Sequence, residues 1–78
     1  DRAIRLYPNP ASDETVLYTG NLAVEKIEAV NGLGQVVRTI AADSDSATRI
    51  VVSDWVNGLY TIRVHTAAGI AEKRLLVR

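Results

Sequence analysis

The one histidine in the chain, His65, is the first place to look for chemistry, because an imidazole can move a proton near neutral pH. Acyl-transfer chemistry would also need an activated hydroxyl, and no G-x-S-x-G nucleophile elbow is present. His65 alternates with Val64 and Ile62 just before a turn, so it reads as a strand-surface residue beside a hairpin. The segment Asp43-Ser44-Asp45-Ser46 offers alternating oxygens of the kind calcium loops use. Calcium takes roughly six to eight oxygen ligands, and no glycine-containing loop of known type follows. Cysteine is absent, which excludes disulfides and thiolate metal sites without deciding the compartment. With no phosphate loop, metal-ligand cluster or carboxylate pair, the sequence predicts no enzyme, no cofactor and no metal.

What remains is the chemistry of recognition. Pro8-Asn9-Pro10 joins two residues that fix φ and lack a backbone donor, which predicts a rigid, extended corner that cannot sit inside a sheet. At the other end Lys73, Arg74 and Arg78 make a basic final segment. Lys73 and Arg74 read first as solvated strand charges and second as contacts for a partner, and Lys73 reads as a rim residue with its stem packed and its ammonium in water. Gly34 and Gly58 read first as conformational requirements, and Gly58 also stands among the candidate recognition residues. Nine basic and nine acidic side chains cancel, which argues against nucleic acid or an anionic membrane surface as partner. No apolar run reaches the roughly 20 residues of a membrane span, so direct membrane insertion is not expected. No signal-peptide pattern is visible, and the chain reads as a module cut from a longer exported protein.

The elements that must position these residues are strands. Residues 58–66 place Tyr60, Ile62 and Val64 on one side and Leu59, Thr61, Arg63 and His65 on the other. Residues 70–77 place Ala71, Lys73, Leu75 and Val77 on one face, with Ile70, Glu72, Arg74, Leu76 and then Arg78 on the other. Ala67-Ala68-Gly69 joins these runs as a hairpin loop, Gly69 supplying the left-handed position. Five further strands are expected at residues 3–7, 14–18, within 22–30, at 35–40 and at 48–52. Val24 and Ile27 cannot share a face of a regular strand, so a bulge or late start is expected there. Asn31-Gly32-Leu33-Gly34 reads as a tight hairpin whose Asn-Gly pair tolerates positive φ. Residues 41–47 are the most polar segment and read as an exposed loop. Trp55 plugs one end of the core or, on the rival reading, forms an exposed ligand platform. Some seven short antiparallel strands in 78 residues predict an all-β, immunoglobulin-like sandwich of a single domain, its strand order open.

Leu6-Tyr7-Pro8-Asn9-Pro10-Ala11-Ser12-Asp13 resembles the opening of the type A C-terminal sorting domain of type IX secretion, found in Bacteroidetes. The resemblance continues through IEAVNGLGQVV at residues 27–37, VSDWVNGLY at 52–60 and EKRLLVR at 72–78. Trp55 departs from the usual leucine, and Ala29 is smaller than usual; both changes are apolar. The resemblance implies a non-catalytic signal at the C-terminus of a cargo protein. The type IX translocon, with outer-membrane shuttle or sortase components, would move the cargo from the periplasm across the outer membrane. The cargo would then be attached at the cell surface or released.

On this reading the recognised residues are Pro8, Asn9, Pro10, Gly58, Lys73, Arg74 and Arg78, on a corner and on an edge strand with unpaired backbone groups. The same edge invites self-association. The alternative is an immunoglobulin-like accessory or carbohydrate-binding module, against which the four aromatics look scattered along the sequence.

Overall fold

Side-chain alternation sorts nearly every strand of the chain into a core side and an outer side, as a period of two requires. The computed structural model describes residues 4–42 and 46–78. It contains β1 (Arg5–Tyr7), β2 (Glu14–Tyr18), β3 (Val24–Val30), β4 (Val36–Ile40), β5 (Ala47–Val51), β6 (Gly58–Thr66) and β7 (Gly69–Val77). All pair antiparallel, in a three-stranded sheet of order β1-β2-β5 and a four-stranded sheet of order β4-β3-β6-β7. The expected sandwich is there, with β7 on the edge of the larger sheet.

The core lies between the sheets. Ile4, Leu6, Leu17 and Ile50 face Ile27, Ala29, Ile62, Val64, Leu75 and Val77, all buried. In β2 Leu17 takes the core side together with Thr15, while Val16 and Tyr18 share the outer face. Trp55 is 8 % exposed and plugs one end, as the first of its two readings expected. Its ring meets Tyr60 at a centroid distance of 5.0 Å and a tilt of 58°, a geometry that suits the ring quadrupoles. The Tyr60 hydroxyl donates to the Val56 carbonyl, and the Arg38 guanidinium lies 5.8 Å from the Trp55 ring centroid. The Tyr60 hydroxyl at the plug thereby finds its partner within the fold.

Local chemistry explains the turns, and corrects two of them. Register slips between Val24 and Lys26, so the bulge falls where the broken alternation put it. In the β3–β4 hairpin neither Asn31 nor Gly32 has positive φ; Gly34 does, at +84°. Asn31 acts through its side chain, whose Oδ1 accepts from the Leu33 and Gln35 amides at 2.9 and 3.0 Å. The backbone turn is closed as well, Gly34 N–H donating to the Asn31 carbonyl at 3.0 Å, so an Asx turn reinforces a backbone turn that has no positive φ at its Asn-Gly pair. Gly69 has a φ of +132° but already pairs with Thr66 as the first residue of β7, so the last hairpin loop is only Ala67-Ala68. Thr66 Oγ1 holds that loop, accepting from Ala68 N–H and donating to the Gly69 carbonyl. β4 begins one residue later than expected, and β5 runs one residue earlier at both ends. Residue 3 and the Asp43-Ser44-Asp45 part of the calcium reading lie outside the described residues.

Candidate recognition surface

The corner that follows β1 is built against the C-terminal strand. Both Tyr7–Pro8 and Asn9–Pro10 peptides are cis, and residues 8–10 bend where an extended corner was expected. Proline has no N–H, so Pro8 and Pro10 can donate nothing to a neighbouring strand. The donors left are those of Asn9 and Ala11. Ala11 N–H donates to the Leu76 carbonyl at 2.8 Å, and Arg78 N–H donates to the Ala11 carbonyl at 2.9 Å. These bonds make a parallel bridge between Ala11 and Val77. Two residues earlier the side chain of Asn9 takes over: its Nδ2 donates to the Arg74 carbonyl at 2.8 Å and its Oδ1 accepts from Leu76 N–H at 3.1 Å. A carboxamide carries one acceptor and a donor side by side, as a peptide group does, and here it fills a peptide's place beside β7. On its far side the corner is tied to β2 by Thr15 Oγ1, which donates to the Pro8 carbonyl at 2.8 Å.

The candidate residues therefore fall into one neighbourhood but do not all face one way. Pro8, Asn9 and Pro10 are exposed along the outer rim of β7. Arg74 is exposed on the outer face with Glu72 and Leu76, and Arg78 is exposed beyond the bridge. Gly58 pairs with Val77, so it sits across the end strand from the corner. Lys73 points to the opposite face, half-buried between Ala71 and Leu75 and across from Ile62, at the rim as its sequence context suggested. The expectation of a bare edge needs correction along residues 74–78. There the outward Arg74 carbonyl, both Leu76 groups and the Arg78 amide are occupied by the corner. By the same parity the amides and carbonyls of Ile70 and Glu72 face outward, in the half of the edge that the corner does not reach.

His65 lies in a different environment. On the outer face of the larger sheet β3 and β6 set Lys26 across from His65 and Glu28 across from Arg63, and β7 sets Glu72 across from Arg63. His65 Nε2 lies 2.6 Å from Glu28 Oε1, Lys26 Nζ lies 3.6 Å from Glu28 Oε2, and Arg63 Nε donates to Glu72 at 3.0 Å. The hydrogen bond with His65 is the main cause that holds the Glu28 carboxyl below its ordinary value of 4.5; burial opposes it, and the Lys26 charge assists. Alternating charges across neighbouring strands stabilise the sheet surface. His65 is a cross-strand partner there, as a strand-surface histidine beside a hairpin would be.

Sequence reasoning treated Asn9 as part of a turn and missed its bond to a strand 65 residues away. One signal was available: flanked by two residues without N–H, Asn9 has the only side chain of the corner able to replace a missing backbone donor. With the corner and β7 joined, the comparison with family models becomes specific. Residues 5–78 match the family described as the secretion system C-terminal sorting domain, from the start of β1 to the last residue of the chain. The chain belongs to that family. It is a C-terminal sorting domain of type IX secretion, a family of non-catalytic signals, and membership implies secreted or cell-surface cargo and interaction with the type IX machinery in general. Comparison with curated proteins gives no match. The match of the sorting domain spans the corner, the Asx-turn hairpin, the Trp55 plug and β7 together.

Proposed function

We propose that the sorting domain presents its corner and the end of β7 to the type IX translocon as one surface, and that this contact carries the cargo across the outer membrane. Residues 1–78 act as one module at the C-terminus of a longer cargo. Pro8, Asn9, Pro10, Arg74 and Arg78 form the contact, with Gly58 and Lys73 at its margin. Shuttle or sortase components then place the cargo at the cell surface or release it. The observation that carries this reading is the junction itself. The two segments singled out as recognition elements, far apart in sequence, are hydrogen-bonded to each other through Asn9 and Ala11. An exposed, basic strand end beside a rigid corner is a surface that can be copied onto unrelated cargoes, because it uses no cargo residue.

Deleting residues 73–78 would not test this, since it would remove Leu75 and Val77 from the core. Arg74→Glu with Arg78→Glu changes only exposed charges. Fused to a periplasmic reporter, this double variant is expected to fold as the parent does and to lose most surface delivery. Normal delivery by the folded variant would contradict the reading.

A second reading has one observation in its favour. Tyr7 and Tyr18, 71 % and 43 % exposed, line a shallow groove with Arg5 on the outer face of β1 and β2. Their position gives the accessory-module alternative an aromatic platform on which a sugar ring would stack. Calorimetry with neutral and acidic oligosaccharides tests it: saturable binding lost in Tyr7→Ala supports it, and no heat with any of them rejects it.

A further inference from the structure

The corner's grip on β7 rests on side-chain atoms of a single residue as well as on backbone. Of the outward polar groups along the end of β7, the Arg74 carbonyl and the Leu76 amide are held by the Asn9 carboxamide. The Leu76 carbonyl and the Arg78 amide are held by Ala11. Pro8 and Pro10 can supply no donor at all, so without the Asn9 amide the corner meets β7 only at the Ala11 bridge. Neighbouring amides offer an internal control. Val77 N–H points inward to β6, where Val77 is paired with Gly58 and Leu75 with Tyr60. Leu76 and Arg78 are bonded outward to the corner. A loss of corner docking is thus distinguishable, residue by residue, from a loss of the strand.

We propose that Asn9 is the positioning residue that assembles the recognised surface, so that the sorting signal is conformational and exists only while the corner is docked on β7. This rests on the reading above and adds a regulation to it. An unfolded or partly folded sorting domain contains every residue of the signal but not its arrangement. The machinery then engages folded domains and passes over those whose end strand is not yet in place. Asn9 makes this dependence sharp because the flanking prolines have no N–H to replace its donor.

The test has two parts, made on the chain fused to a reporter. In Asn9→Ala, hydrogen exchange read by NMR is expected to quicken at Leu76 by roughly thirtyfold, the loss of about two net hydrogen bonds at about 1 kcal/mol each, and by less at Arg78, whose bridge to Ala11 loses the support of Asn9. Leu75 and Val77 should keep their protection. Asn9→Asp gives a second variant. As a carboxylate it loses the donor to the Arg74 carbonyl, and below a carboxyl pKa of about 3.9 the protonated acid regains it, so protection at Leu76 should recover as pH falls. Unchanged exchange at Leu76 and Arg78, or an equal rise at Leu75 and Val77, would overturn the role of Asn9. In cells, export of the Asn9→Ala fusion should fall along with that of the Arg74→Glu, Arg78→Glu fusion. If the charge variant fails and a demonstrably undocked Asn9→Ala is exported normally, the contact surface stands and the conformational signal is wrong. If both are exported normally, the contact surface itself is wrong.

Discussion

At Glu28 two neighbours compete with partial burial, and the histidine wins. Its carboxyl is held below 4.5 chiefly by the bond to His65, so the pair stabilises the fold above that pH and loses its effect as pH falls through the lower folded value. His65→Ala should move the Glu28 pKa back toward 4.5, read by NMR of the side-chain carboxyl carbon, and should flatten the acid limb of the stability profile. An unmoved Glu28 titration would mean that Lys26 alone sustains the shift. Two glycines in the β3–β4 turn give a second residue-level contrast. Neither has an atom within 4 Å of where a Cβ would lie, so sterics do not separate them. Backbone conformation does: Gly34 sits at φ +84° and Gly32 does not have positive φ. Gly34→Ala should cost about 1–2 kcal/mol, whereas Gly32→Ala should be neutral or stabilise by up to about 1 kcal/mol. Paired thermal melts check this, and equal effects would contradict the assignment of the turn.

Among the elements, the strands were legible because alternation is local. Tyr60, Ile62 and Val64 sort themselves against Leu59, Thr61 and Arg63 without knowledge of any other strand, and the break between Val24 and Ile27 announces its own bulge. What could not be read depends on register between distant segments. The Glu28–His65 bond needs β3 set on β6, and the Asn9 clamp needs the first turn laid on the last strand. Asn31 was legible as the start of a tight turn, which the Gly34 bond to its carbonyl closes, but the positive φ falls on Gly34 and the side-chain oxygen adds bonds to two amides. Trp55 stands between these cases. Its apolar character marked it for burial, while its partner Tyr60 and the Arg38 cover come from the fold. Trp55→Ala should leave a void at the end of the sandwich and cost about 3–5 kcal/mol, visible as a lower urea midpoint at unchanged slope. A change below about 1 kcal/mol would show that Trp55 is not the plug.

For the molecule as a whole, the sandwich holds the first corner and the last strand together on its surface. Seven strands and a small aliphatic core bring the residues after β1 to the side of β7, and nothing else in the fold would make those segments neighbours. The core and the proposed contact surface therefore share β7: Leu75 and Val77 face inward, while Arg74, Leu76 and Arg78 carry the corner. Family membership makes the chain a sorting domain of type IX secretion, and the proposed function makes this arrangement the surface it presents. The most direct measurement is the fate of an inert periplasmic reporter fused to residues 1–78, followed in a host with the type IX machinery and in the same host lacking its translocon. Protease-accessible reporter at the cell surface in the first host and retention in the periplasm of the second is the predicted result. Retention in both, with the fused domain shown to be folded, would contradict it.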